Sequence, residues 1–169
     1  MDFQEGEILY FDKPLHWTSF KLVKTLRNSI SRALGIKKIK VGHAGTLDPL
    51  ASGVMIICTG KSTKLIESFQ YQTKEYIATK PKELVIDEIE LLDFTSDILR
   101  IRVVCSKGTY IRALARDLGE ALGSGAHLIG LVRTRVGEVT LDRCLSVDDI
   151  GRIVAEAVSS ENTPEELKN

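Results

Sequence analysis

Residues 38–58 read KIKVGHAGTLDPLASGVMIIC. The apolar runs KIKV (38–41) and VMIIC (54–58) have the composition of strands, and Gly42, Gly45, Pro49 and Gly53 hold open a loop between them. A loop of this kind can present a side chain without burying it. The one carboxylate it offers is Asp48, with His43 five positions earlier. Taken alone, Asp48 reads as a turn cap, since Asp before Pro is ordinary turn chemistry, and His43 reads as a loop histidine.

Working outward, the flanking segments alternate between strand and helix patterns. EILYFDKP (7–14) reads as a strand stopped by Pro14. Thr18 or Ser19 can then cap a helix in which Leu22, Val23, Leu26 and Ile30 recur at helical spacing until Gly35 ends it. After the loop, STKLIESF (62–69) predicts a short helix and KEYIAT (74–79) a strand. ELVIDEIELLDF (83–94) and ILRIRVVCS (98–106) predict two strands joined by a polar turn at 95–97. Thr109 opens a predicted helix, YIRALARDLGEAL (110–122), which Gly123 closes. RVGEVTL (135–141) predicts a last strand, and SVDDIGRIVAEAV (146–158) a last helix capped by Ser146. The expected class is α+β, a mixed and mostly antiparallel sheet with flanking helices. One domain is expected over 1–158, followed by a polar, disordered tail at 159–169.

Composition and charge limit the function classes. With 169 residues, 43% hydrophobic and 27% charged, the chain suits one globular domain with a real core, and no apolar run is long enough to cross a bilayer. The start, MDFQEGEILYFD, is acidic where a secretory signal would be basic and then apolar, so a cytoplasmic protein is expected. Net charge is zero, yet the eight bases between Lys13 and Leu47 (among them Lys13, Lys37, Lys38 and Lys40) stand without a single acid. Such a block suits a polyanion, because Lys and Arg bind phosphates by releasing condensed counterions; a solvated helix face is the plainer reading. Asp48 is the first acid after that run.

Cys58, Cys105 and Cys144 stand far apart without C-x-x-C spacing, and His16, His43 and His127 are equally scattered. Reduced cysteines and no bound metal are expected. TGKST (59–63) resembles the end of a phosphate-binding loop, but the first glycine of that motif would fall at Met55, whose side chain blocks the backbone cradle.

The order of the segments resembles the TruB-type tRNA pseudouridine synthases. KPLHWTS (13–19), the loop continuing through TGKSTKLI, KEYIAT, and SKGTYIRALARDLGEALGSGAHLIGLVRTRVG (106–137) carry the resemblance over nearly all of 8–150. It implies isomerisation of the uridine at position 55 in the T-loop of tRNA, with the T-arm as partner and no cofactor, membrane or obligate protein partner. By the same resemblance Asp48 is the catalytic aspartate, Arg112 its ion-pair partner and Tyr76 the aromatic residue packed against the target base. Leu131 lines the uracil pocket, and His43 enters the space left by the flipped nucleotide. Lys13, Pro14, Thr18 and Ser19 match the family's KPxGxTS motif, with His16 in place of its glycine.

These residue types also suit the chemistry. Pseudouridylation detaches uracil from ribose C1′, turns it and rejoins it through C5, with no net change in atoms and no redox group or metal. One carboxylate can attack C1′ or uracil C6, or take the C2′ proton to give a glycal, and the residues do not choose among these routes. A guanidinium close by favours the charged carboxylate and forks around it. An aromatic face and an apolar wall replace the stacking that a flipped uridine loses.

The chain departs from the family pattern after Thr79, which passes almost at once to Lys80 and Pro81. The several dozen residues that the family places here, with its TxTxDxxG and PPxYSA signatures and the loop that grips the T-arm, have no counterpart. The C-terminal RNA-binding PUA domain of many members is not expected either, and shorter members without it also occur. A compact synthase that grips RNA weakly is one expectation. A binding or inactive remnant, with Tyr76 unseated and the sheet open beside KEYIAT, is the other.

Overall fold

The computed structural model describes residues 1–78, 86–106 and 109–161. β1 (Ile8–Lys13) leads through the KPLHWTS turn into α1 (Ser19–Ala33), whose N-cap Thr18 accepts a hydrogen bond from the Lys21 amide at 3.0 Å. The expected stripe of Leu22, Val23, Leu26 and Ile30 is fully buried, each side chain contributing about 1.5–3 kcal/mol by leaving water. β2 (Val41–His43) and β3 (Ala51–Thr59) flank the Asp48 loop as an antiparallel pair. A 3-10 turn (Gly60–Leu65) and α2 (Ile66–Tyr71) lead to β4 (Lys74–Ala78). β5 (Ile86–Phe94) and β6 (Leu99–Cys105) form the next hairpin, followed by α3 (Ile111–Ala121), β7 (Leu131–Val136), β8 (Val139–Thr140) and α4 (Ile150–Glu161).

The eight strands form one sheet in the order β1-β3-β7-β4-β6-β5, with β2 beside β3 and β8 beside β7. All these pairings are antiparallel except β3 with β7, which run parallel over three residue pairs, Ala51↔Leu131, Ser52↔Val132 and Gly53↔Arg133. The α+β, mostly antiparallel class expected from the sequence is the one observed. β3 is apolar from Val54 to Cys58 because both its faces are covered there. Met55 and Ile57 join the main core with α1 and α4, while Val54, Ile56 and Cys58 join a second cluster with Ala44 and Val136.

Some boundaries differ from the sequence reading, for local reasons. α3 starts at Ile111 with Tyr110 at its N-cap, rather than at Tyr110 capped by Thr109, whose side chain hydrogen-bonds the Cys105 sulfur instead. RVGEVTL is a hairpin, β7 to β8, turning at Gly137 with φ +55°. α4 begins at Ile150, after a turn in which the Ser146 amide donates to Asp149 Oδ2 at 2.8 Å and the Asp148 amide to Ser146 Oγ at 3.1 Å. It continues to Glu161, so 159–161 are helical rather than tail, and 162–169 lie outside the described residues. Thr79, Lys80 and Pro81, where the sequence departs from the expected family pattern, also lie outside them. β4 is not an open edge: β7 pairs with one side of it and β6 with the other. Among the described residues the sheet ends on this side at β5, two strands further out, where Ile89, Leu91 and Phe94 are exposed.

Two backbone positions fix the loops that meet at the centre. Gly53 adopts φ +108°, and a Cβ there would collide with the Arg133 backbone. His16, where the resemblance to the family's KPxGxTS motif implies a glycine, adopts φ +64° and is the one non-glycine residue with positive φ among the described residues. Gly53→Ala is expected to cost at least about 2 kcal/mol, because strain and collision add. His16→Gly is expected to change stability by less than about 1 kcal/mol, relief of strain offsetting the greater freedom of the unfolded chain. Urea unfolding of the two variants beside the parent checks both.

Candidate active site

The Asp48 loop is clamped before any partner side chain arrives. Ser19 Oγ, buried at the start of α1, donates to the Leu47 carbonyl and accepts from the Leu47 amide, both at 2.9 Å. The His16 amide donates to the Pro49 carbonyl at 2.7 Å, and the Ala51 amide to the Asp48 carbonyl at 3.0 Å. KPLHWTS is therefore the abutment of the loop. Its Lys13 is fully buried and donates to the carbonyls of Pro14 at 2.9 Å and Trp17 at 2.6 Å. This corrects Lys13 as a substrate contact: its ammonium is spent on holding the turn. Burial outweighs its charged neighbours and lowers its pKa.

Held in this way, Asp48 faces Arg112 from the first turn of α3, with Oδ2 and Nη2 2.9 Å apart. The side chains are 44% and 64% exposed, and an ion pair so open to water adds little to stability, so its value lies in orientation. The pair stands at one side of a cleft of about 530 Å³ whose walls include Tyr76, Leu131 and Arg133. Tyr76 is 9% exposed, placed on β4 opposite Val103 and Arg133, and faces the same cleft as Asp48. Leu131 extends the wall into an adjoining apolar hollow of about 290 Å³ that also contains Leu50 and Ile129, both exposed.

The structure thus brings together Asp48, Arg112, Tyr76 and Leu131. His43 is placed differently. It sits on β2 opposite Ile57, half-buried and apart from the lining of this cleft, and its Nδ1 is buried without a hydrogen-bond partner among the described residues. Lys37, Lys38 and Lys40 are exposed on the connection from α1 to β2. Of the eight bases in the acid-free run, Arg27 is also engaged internally, donating to the Val41 carbonyl at 2.9 Å, while Lys21, Lys24 and Arg32 face solvent with those three lysines.

Two site residues escape the sequence reading. Arg133, in the strand LVRTRV, is 1% exposed on the floor of the cleft, and Lys74 is buried beside it, donating to the carbonyls of Gln70 at 3.0 Å and Gln72. An arginine in a strand reads as exposed. No alternation marks Arg133 as buried, since the register slips where β4 meets β7, between Glu75 and Tyr76.

Among the described residues no group of three or more His, Cys, Asp or Glu side chains could hold a metal, and no helix is long and apolar enough to cross a membrane. Cys58 and Cys105 are buried and Cys144 is half-buried, all as free thiols. Burial pushes the Cys58 and Cys144 thiols up to about 11, so they are poor nucleophiles.

Known proteins resemble this chain in sequence and in fold. A family model described as the N-terminal domain of TruB family pseudouridylate synthases matches residues 31–81, and one described as the C-terminal domain of tRNA pseudouridylate synthase B matches 112–168. The tRNA pseudouridine synthase B of Parabacteroides distasonis is 50% identical, over 89% of this chain and 94% of that protein. The protein of the same name from Flavobacterium johnsoniae is 32% identical, over 86% and 95%. Among solved structures, a chain of the archaeal box H/ACA sRNP Nop10-Cbf5 complex superposes with a TM-score of 0.78 at 29% identity, covering 94% of this chain and 56% of that one. A pseudouridylate synthase with TM-score 0.54 and 17% identity shares the fold.

His43 offers a measurable electrostatic signature. Burial, followed by the charge of Arg133, lowers its pKa from the ordinary 6.5, against an opposing hydrogen bond to the Gly45 backbone. Between the folded and unfolded values the native state binds fewer protons. Stability from neutral His43 is therefore complete above about pH 6.5, falls as pH drops below it, and levels off once pH passes the lower folded-state value. NMR titration should find the His43 ring neutral below pH 6.5, and His43→Gln should flatten that part of the stability profile.

Proposed function

This chain belongs to the TruB family of pseudouridine synthases, and from that premise we propose that it converts uridine 55 in the T-loop of tRNA to pseudouridine, with Asp48 as the catalytic carboxylate. The observation that carries this reading is the Asp48–Arg112 pair, 2.9 Å apart, beside a cleft that Tyr76 and Leu131 also line. The flipped uracil stacks on Tyr76 with Leu131 as its apolar wall, and Arg112 holds the Asp48 carboxylate toward the sugar and base. The N1–C1′ bond breaks, the uracil turns, and a C5–C1′ bond forms. The C5 proton leaves to solvent and N1 gains one, so atoms balance without a cofactor. Attack at C1′, attack at C6 and removal of the C2′ proton all draw on an ionised Asp48.

The remnant reading required Tyr76 to be unseated. Tyr76 instead faces the cleft that Asp48 lines, which favours the enzyme reading. The decisive experiment is tritium release from tRNA carrying 5-tritiated uridine, with protein in excess so that one slow turnover is visible. Carbodiimide mapping then shows which uridine changed. The parent is expected to release tritium and mark position 55. Asp48→Asn is expected to lower the rate by at least about a thousandfold while still binding tRNA. Pseudouridine formed by Asp48→Asn near the parent rate would remove Asp48 from the chemistry.

The partner is read from the exposed bases. Lys37, Lys38 and Lys40 form no ion pair with a described residue, which leaves them open to RNA phosphates. Their replacement by Gln together should weaken tRNA binding and flatten its salt dependence by about 0.7–0.9 of a unit in log–log slope per lost contact, measured by filter binding across a salt series. An unchanged slope would return these lysines to a solvated surface.

A further inference from the structure

Arg133 is a fully buried guanidinium that pairs with no described carboxylate. Its partners are dipoles on three separate segments. Nε donates to the Val54 carbonyl of β3 at 2.7 Å, Nη2 to the Gly45 carbonyl of the Asp48 loop at 3.4 Å, and Nη1 to Tyr76 Oη of β4 at 3.4 Å. The guanidinium carbon lies 5.8 Å from the centre of the Tyr76 ring. Burying a charge without a counter-charge is costly, and an apolar side chain of similar length would fill the same space. What an apolar side chain lacks is a rigid fork able to reach three acceptors at once. The two long bonds go to the two segments that must be placed for the chemistry, and the short one to the strand that supports them.

We propose that Arg133 is a positioning residue of this site, setting the Tyr76 ring and the Gly45 end of the Asp48 loop against the same bound uridine. The role rests on the reading of the cleft as a uridine site. It is separate from that of Arg112, which meets Asp48 itself on the exposed side of the loop. Gly45 belongs to the same arrangement: at φ +97°, a Cβ there would lie 3.6 Å from Arg133 Nη1, so the loop closes directly over the guanidinium.

The test compares Arg133→Met and Arg133→Lys with the parent, in thermal unfolding, in tritium release, and in NMR of protein labelled with 3-fluorotyrosine. In Arg133→Met, kcat is expected to fall about a hundredfold with KM within about threefold, because misplacing a reacting group costs rate more than binding. The Tyr76 fluorine resonance should shift, and the His43 pKa should rise as the nearby charge disappears. Arg133→Lys should restore the His43 titration but little of kcat, since a point charge does not supply the fork. Tyr76→Phe combined with Arg133→Met should show coupling rather than multiplied losses, as expected of groups acting as one unit.

Parent-like kcat in a folded Arg133→Met variant would overturn the proposal. So would loss of activity only in proportion to loss of folded protein with full rescue by Lys, which marks a sheet staple. If Arg133→Met does not fold, the kcat of Arg133→Lys and its coupling to Tyr76→Phe decide in the same way. Parent turnover tests the functional reading separately. If the parent is inactive, an unmoved Tyr76 resonance in Arg133→Met overturns the positioning role, and a shifted one upholds it.

Discussion

Three residue pairs hold the two halves of the sheet together. On one side β1, β2 and β3 carry the Asp48 loop; on the other, β4, β5 and β6 carry Tyr76. β7 joins them through its short parallel contact with β3. The join is close because residue 53 is glycine, the one residue whose backbone can approach Arg133 this nearly at φ +108°. Every candidate site residue in the cleft stands at this seam: Asp48 in the loop that leads into β3, Leu131 and Arg133 on β7, Tyr76 on β4, and Arg112 on the helix that precedes β7. The site is where the halves meet.

The seam concentrates cost as well as function. Lys13, Lys74 and Arg133 are all buried around it, each bonded to carbonyls. Buried cations of this kind are weak contributors to stability, and the surrounding apolar clusters must offset them. Away from the seam the cations are arranged differently. Arg102 on β6 binds Glu75 at 3.1 Å, Glu90 at 2.7 Å, and Glu88, tying the outer strands on the sheet face that also carries Thr134. For Glu75, burial favours the neutral acid, but hydrogen bonds from Thr134 and Arg102 outweigh it and hold the carboxyl below its ordinary range. Charge is thus neutralised locally at the periphery and left uncompensated by described carboxylates beneath the cleft floor.

How much of this was legible in the sequence follows from the range of the interactions. α1 was legible because a cap and a 3.6-residue period are local, and the Asp48 loop because glycines and proline punctuate it. Arg112 and Tyr76 were placed by resemblance to a family, not by periodicity. The parallel contact of β3 with β7 was not legible, because nothing near Gly53 indicates that its neighbour lies at Arg133. Burial of Lys13 and Arg133 was hidden for the same reason: a charged side chain reads as exposed until the carbonyls that accept from it are known. The open edge was misassigned to β4 because sequence order places β4 just before the departure from the expected family pattern after Thr79, whereas the sheet places β4 in the interior.

The distance along the chain across that seam has a kinetic meaning. About eighty residues separate Ser52 from its partner Val132, a longer span than in any other pairing between the named strands. Loop closure over such a length carries an entropic cost that the local β2–β3 and β5–β6 hairpins do not bear. Those hairpins and α1 can form early, while the seam must wait for both halves to be in place. A partly folded chain that lacks the seam holds Asp48 and Tyr76 on separate pieces with no shared cleft, and chemical competence arrives only once that long-range closure is made.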